Sequence, residues 1–424
     1  MTGFQSEAQY LEELERRSAL PSGFSVAATS LEFESRERGQ RLSMNLAAIV
    51  LDAPSSAFAG VFTGNRFCGA PILIGRRRMR ENRVRAVLVN NRIANVGSPG
   101  GEDDAEQLCG ALGELIGEPA QRIIPASTGI IGWKLPVQEM RGALPALTAG
   151  QQSDSALPLA RAIMTTDSYP KLHREEVGAG CIVGVAKGAG MIEPRMGTML
   201  VYLMTDLAME RECLDRCLRW CVDRTFNRIS VDGDQSTSDM ALLLSSAARA
   251  GVAEEVFRTA LEKICARLAE DVVRNGEGVG HVICAGVAGA VDVEAAVAAG
   301  KAVVNSPLVK TAVFGNDPNV GRIVSALGDW ADSAGIGLEV EKLSVSLGGV
   351  EIFADGSFRL DAAKEKRLNA YLEECALDPA AAGYPAHDRK VVLEIDLGTG
   401  SARAEVLGAD LSYQYVRENA DYRS

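Results

Sequence analysis

Histidine is scarce in this 424-residue chain: there are three, His173, His281 and His387, and they form neither an HExxH pattern nor a close pair. A His-built zinc site is therefore not indicated. Aromatics are only 5% of residues, which suits packed sheets and helices better than stacking platforms for bases or sugars. Cations are outnumbered, with Lys+Arg 44 against Asp+Glu 56 and a formal net charge of -12. Such a surface repels polyanions on average, so no nucleic-acid partner is expected. The nine cysteines contain no CxxC, and their odd total reads as reduced thiols in a cytoplasmic protein. No apolar run approaches the roughly 18 residues that span a bilayer, so no membrane partner is expected either. The start, MTGFQSEAQYLEELERRS, reads as a charged amphipathic helix with a Ser6/Gln9 capping-box pattern rather than a signal peptide.

What is present is ordinary globular material, 47% hydrophobic and 24% charged, enough to bury a large core. Residues 42–50 (LSMNLAAIV) and 84–89 (VRAVLV) read as buried strands, and 103–116 and 155–164 as helices. Longer amphipathic helices are expected over 206–223 and 252–275. The second of these is expected to carry Val256, Ala260, Ile264 and Leu268 on its apolar face and to end on a left-handed turn at Asn275-Gly276. The acidic run SVDGDQSTSD (230–239) lacks the glycine and final Glu of a calcium loop and reads as a turn, followed by a helix over 239–250 capped by Ser238. Residues 391–396 and 402–407, joined by LGTGS, read as a hairpin. Strands and helices are mixed throughout, and no linker divides independent domains.

Motifs with chemical content are few. Cys213, Cys217 and Cys221 recur every four residues on one helical face; a metal site is conceivable there, and small core residues are the expected reading. The GEGVG run at Gly276 has neither Rossmann spacing nor a preceding strand, and no GxxxxGK[ST] occurs. Ser127-Thr128-Gly129 follows the apolar Ile123-Ile124, so a hydroxyl and a free backbone N–H could be offered at a strand end. Those are the donor types of an oxyanion hole, and also of a simple turn. In AKGAGMIEPRMGTML (186–200), Gly197 precedes Thr198. A small residue before threonine lets the hydroxyl reach the preceding carbonyl, and cleavage then frees an amine that serves as the threonine's own base. Such an enzyme needs no histidine. Lys310, Asn316, Asp317, Asn319 and Arg322 crowd a Pro-Asn-Val-Gly turn and mark either a solvated loop or a structured functional one.

Eight segments in order, GVFTGNRF at Gly60, ASTGIIG at Ala126, AIMTTDSYPK at Ala162, KGAGMIEPRMGTML at Lys187, VDGDQSTSD at Val231, GEG at Gly276, SPLVKTAVFGNDPNVGR at Ser306 and DLSYQYVRENADYRS at Asp410, resemble the ornithine acetyltransferase (glutamate N-acetyltransferase) family of arginine biosynthesis. The resemblance implies an α/β protein, an N-terminal-nucleophile-like αββα sandwich with a smaller α/β lobe. It implies self-cleavage between Gly197 and Thr198 into chains 1–197 and 198–424, which share one core and assemble as a heterotetramer of two of each. Thr198 would attack N-acetylornithine, release ornithine and pass the acetyl group to glutamate in a ping-pong cycle. Thr128 and Gly129 would stabilise the oxyanion. The amino-acid substrates would be bound by Thr165, Lys187, Thr198, Glu277, Asn419 and Ser424, with Lys187 suited to a carboxylate and Glu277 to an ammonium. Neither cofactor nor metal is implied, because acyl exchange between amines is close to thermoneutral.

The chain departs from the family pattern at particular positions. Gly197 replaces the usual Ala, Arg195 stands where Asn is common, GEGVGH puts His281 in place of Lys, and the strand end at Asn90 reads NNRIANV with Arg92 inside it. A divergent member handling another N-acyl amino acid, or a non-cleaving scaffold, are the alternatives these positions keep open.

Overall fold

The computed structural model describes residues 3–193, 199–381 and 383–421. They fall into two compact units. The larger comprises 11–227 and 234–272, and the smaller comprises 1–10, 228–233 and 273 onward. The described residues on either side of the expected cleavage point, Glu193 and Met199, both belong to the larger unit.

Two sheets form the centre of the larger unit. One has the order Phe24–Ser35, Gln40–Ser55, Val84–Asn90, Ile123–Ser127. The other has the order Phe58–Phe62, Met240–Arg249, Leu200–Leu207, Gly180–Lys187, Lys171–Val177. Gln40–Ser55 of the first sheet contacts Met240–Arg249 of the second. Helices Gly101–Ile116 and Val137–Ala149 cover the first sheet, placing Leu108, Leu112, Leu144 and Leu147 against Leu46, Ala48 and Leu88. Arg211–Arg224 packs on the Phe58–Phe62 strand, and Glu254–Arg274 sets Ile264 and Leu268 over Gly184 of the second sheet. The layering is helix, sheet, sheet, helix. Central strands such as VYLMTD are buried on both faces, as a sheet covered on both sides requires.

The smaller unit is built on a seven-stranded mixed sheet that runs from Ser357–Phe358 through Val391–Asp396, Val282–Ala290 and Ala402–Ala409 to Ile229–Ser230. Val293–Asn305, Val320–Ala334 and Ala362–Cys375 contribute Val303, Leu327 and Leu372 to its core.

Four local expectations are corrected. Met240–Arg249 is a strand, not a helix begun by Ser238; it pairs in parallel with Leu200–Leu207. The strands over 391–396 and 402–409 do not pair as a hairpin, because Val282–Ala290 lies between them, parallel to the first and antiparallel to the second. On the Glu254–Arg274 helix Val256 is exposed, and the buried stripe runs through Phe257, Leu261, Ile264 and Leu268. The left-handed residue after that helix is Gly278, at φ +62°, not Gly276.

Candidate active site

The hydroxyl-glycine turn sits at the end of a strand. Ile123–Ser127 runs parallel to Val84–Asn90, and Asn90 ties the two strand ends together. Its side chain accepts from Ser127 Oγ at 2.6 Å and donates to Ile93 O, while its carbonyl accepts from Thr128 N at 3.1 Å. Ile130 N donates to Arg92 O at 3.0 Å. Gly129, between them, has φ +120°, and a Cβ there would lie 2.2 Å from Arg92 O, so only glycine fits. Its own N–H meets no acceptor among the described residues. One backbone donor is thus held out of the local hydrogen-bond ladder.

Lys187 ends the Gly180–Lys187 strand and is buried, and its Nζ donates to Thr128 Oγ1 at 3.0 Å. With that lone pair taken, the threonine hydroxyl is left to donate its proton elsewhere. An anionic oxygen would therefore meet two donors, the Thr128 O–H and the Gly129 N–H, beside an ammonium.

Beneath Lys187 lies Asp167, whose side chain is wholly excluded from solvent along with that of Lys171. Asp167 accepts from Lys171 Nζ, from Gly188 N at 2.8 Å and from Thr165 N at 3.0 Å. Burial opposes its ionisation, but the Lys171 and Lys187 charges and the Gly188 N–H outweigh it and hold the carboxyl well below its ordinary range. Exposed Thr165 is fixed through this carboxylate to the backbone that follows Lys187. Sequence reasoning missed the pairing of Asp167 with Lys171; the four-residue spacing in TTDSYPK was its one visible trace.

In the smaller unit the two expected amino-acid ligands meet. Asn419 Nδ2 donates to Glu277 Oε2 at 3.0 Å. The loop that carries Glu277 is docked on the C-terminal helix Tyr413–Ala420. Ser412 caps that helix by accepting from Tyr415 N at 3.0 Å and donates to Gly278 O. At Gly278 a Cβ would come within 2.3 Å of Tyr415 N. His281 is a core residue here, its Nδ1 2.8 Å from Asp410 Oδ2 and its Nε2 3.1 Å from Leu372 O. Lys310 is spent on the carbonyls of Val231 and Ala409 at 2.6 Å, and Asn319 caps the Val320–Ala334 helix. The polar turn around them is structural.

Arg195, Gly197, Thr198 and Ser424 lie outside the described residues. Arg92 is exposed and contributes its carbonyl to the turn. His173 is paired with Asp271 at 2.7 Å, and His387 Nε2 lies 2.8 Å from Ala376 O. Cys213 and Cys217 approach Glu254, which is held by Arg216 at 2.7 Å. Burial, with the neighbouring Cys213, raises the Cys217 thiol to about 12, which keeps it protonated and unreactive.

Residues 29–424 match the ArgJ family. The arginine biosynthesis bifunctional protein ArgJ of Nitratidesulfovibrio vulgaris is 40% identical over 418 residues, covering 96% of this chain and 100% of that protein. The protein of the same name from Methylococcus capsulatus is 40% identical over 386 residues, covering 88% and 90%. Among solved structures, the arginine biosynthesis bifunctional protein argJ of Bacillus halodurans matches at 31% identity and a TM-score of 0.46, covering 52% of this chain and 98% of that one. Ornithine acetyltransferase complexed with ornithine, from Mycobacterium tuberculosis, matches at 26% identity and a TM-score of 0.33, covering 42% and 95%. The chain belongs to the ArgJ family.

Proposed function

We propose that the protein is an acetyltransferase of the ornithine acetyltransferase type, moving acetyl from N2-acetylornithine to glutamate through an acetyl ester on Thr198. The observation that carries this reading is the Lys187–Thr128–Gly129 arrangement in a chain of this family: two hydrogen-bond donors held beside a buried ammonium. Attack by the Thr198 hydroxyl on the acetyl carbonyl puts negative charge on its oxygen, and preorganised donors aimed at that charge lower the barrier. Removing one such donor typically costs about 10²–10³ in rate. The Thr198 amine, freed when the 197–198 peptide bond breaks, takes the hydroxyl proton and later returns it to the departing ornithine amine. Glutamate repeats the sequence in reverse as acceptor. Lys187 and Glu277 suit the opposite charges of an amino-acid substrate, and Thr165, Asn419 and Ser424 complete the ligand set. The mature protein is two chains, 1–197 and 198–424, paired again into a heterotetramer in the cytoplasm.

Denaturing mass spectrometry of the purified protein tests the reading directly. Two chains split after Gly197 are expected, with Thr198→Ala remaining full length and unable to transfer acetyl. An intact wild-type chain that fails to acetylate glutamate from N-acetylornithine would overturn it, and a cleaved Thr198→Ala chain would show the nucleophile to be another residue. Activity with a different N-acyl amino acid in place of N-acetylornithine would favour the divergent-member reading.

A further inference from the structure

Two neighbouring asparagines stand at the end of the Val84–Asn90 strand, and they serve different neighbours. Asn90 lies opposite Ser127 in the parallel pairing and holds the hydroxyl-glycine turn. On its other side the main-chain pairing with Gln40–Ser55 stops where Leu46 faces Asn90. The half-buried Asn91 continues that pairing with its side chain, its Oδ1 accepting from Asn45 N at 2.8 Å. Its Nδ2 donates to Met164 O at 2.7 Å, and Asn45 Nδ2 donates to Ala162 O at 3.4 Å. Met164 O belongs to the peptide unit whose nitrogen is that of Thr165, and this N–H donates to Asp167 Oδ2 at 3.0 Å. The 164–165 peptide is therefore gripped on both sides, its carbonyl by Asn91 and its N–H by Asp167. The other oxygen of Asp167 accepts from Gly188 N, next to Lys187, at 2.8 Å. Thr165 lies between the Leu157–Ala162 helix and the Lys171–Val177 strand, so no ladder of its own fixes it. Side chains do so instead, from the strand end that carries the oxyanion donors and from the backbone that follows Lys187.

We propose that Asn91 is the positioning residue that sets Thr165 against the oxyanion turn, and that it governs how tightly the amino-acid substrates are held rather than how fast acetyl moves. The inference rests on the reading above that Thr165 is a ligand of N-acetylornithine and glutamate. An amide suits this task, because it offers an acceptor and a donor on one planar group. With the Asn45 N–H on one side and the Met164 carbonyl on the other, its plane cannot turn without breaking a bond. A carboxylate in its place has no donor for the carbonyl. The two asparagines thereby divide the labour. Asn90 holds the turn whose donors meet a charge that exists only in the transition state, so a fault there lowers turnover. Asn91 holds a residue that touches the bound amino acid before and during the reaction. An interaction made equally in both states raises KM when it is lost and leaves kcat nearly unchanged. The two substrates occupy one site in turn, so both KM values move together.

The test is steady-state transfer of acetyl from N-acetylornithine to glutamate, with kcat and both KM values measured for wild type, Asn91→Ala, Thr165→Ala and the double variant. A hydrogen bond of ordinary strength is worth up to about 10-fold, so Asn91→Ala should raise both KM values by about that factor and change kcat by less than about 3-fold. Thr165→Ala should raise the same two values. The double variant should match Thr165→Ala, because Asn91 has nothing left to place once that hydroxyl is gone. Asn91→Asp keeps the shape and the bond from Asn45 N–H but cannot donate to Met164 O as a carboxylate; it too should raise both KM values, and it decides the matter if Asn91→Ala misfolds. Wild-type KM values in the Asn91 variants, a loss confined to kcat, or single effects that multiply in the double variant would overturn this inference and leave the proposed acetyl transfer standing. Thr165→Ala with wild-type KM values would overturn it by removing the ligand that Asn91 places. A wild-type chain that transfers no acetyl would remove both readings.

Discussion

Replacing Asp167 by Asn isolates the electrostatic support of the site. The amide keeps the size of the carboxyl but has a single acceptor oxygen, so it can retain only one of the Gly188 N and Thr165 N bonds, which fall on different carboxylate oxygens, and it takes the Asp167 charge away from the Lys171 ammonium in a place that is 0% exposed. Breaking one side of a buried ion pair costs about 3–5 kcal/mol, because the remaining charge stays desolvated. At about 2–4 °C per kcal/mol for a unit of this size, the melting temperature should fall by roughly 6–20 °C. A second change, Lys171→Met, removes the desolvated charge, and the double variant should recover most of the loss, short of the one backbone N–H that the amide cannot accept. The pH dependence carries its own sign. The folded-state pKa of Asp167 is lowered, so its stabilisation is complete above the ordinary carboxylate value near about 3.9 and fades as pH falls below it. The gap between wild type and Asp167→Asn in urea denaturation should therefore be constant from about pH 5 to 8 and should shrink in acid. An Asp167→Asn protein within about 1 kcal/mol of wild type, or one not rescued by Lys171→Met, would refute the account of this pair.

Gly129→Ala should fold with a modest loss of stability and lose about 10²–10³ in acetyl transfer, because a side chain at φ +120° must push the turn off Arg92 O and re-aim the free N–H; near-normal turnover in a steady-state assay would remove that N–H from the oxyanion site. On the Glu254–Arg274 helix, Phe257→Ala should cost about 3–5 kcal/mol in chemical denaturation, whereas Val256→Ala should stay within about 0.5 kcal/mol, and the reverse order would mean that the helix presents its other face.

The mixture of strands and helices was legible from the alternation of apolar runs and amphipathic stretches, and the αββα layering from the family resemblance, but three features hid their partners. The strand MALLLSSAAR opens on MALLL, a continuous apolar run without a two-residue or a helical period, because that part of the strand is covered on both faces and has no polar side to reveal it. Ser238 before it resembled a helix cap only for as long as a helix was assumed. The LGTGS connection suggested neighbours in sequence as neighbours in the sheet, and nothing local to residues 391–409 encodes the strand inserted between them. On the Glu254–Arg274 helix the expected face was right at Ile264 and Leu268 and wrong in the first turns, where Phe257 and Leu261 are buried in place of Val256 and Ala260, since Val256 and Phe257 are both apolar and only packing selects between them. At the site, Thr128 and Gly129 could be read because a hydroxyl and a glycine at a strand end are local facts. Asp167 could not be weighed in the same way. Its importance comes from burial beside Lys171 and within the field of Lys187, and burial is a property of the folded chain.

The strand order of the second sheet bears on how the protein tolerates being cut. Phe58–Phe62, Gly180–Lys187 and Lys171–Val177 precede residue 198, and Leu200–Leu207 and Met240–Arg249 follow it, yet the latter two lie between the former. A nick at 197–198 would remove one covalent bond and no rung of the sheet. The fragments could part only by tearing open the middle of a hydrogen-bonded ladder. Before the nick the chain folds as a unimolecular event; after it, recovery from unfolding would require two molecules to find each other. Refolding would then depend on concentration, and the order of synthesis, folding and scission would become effectively one-way.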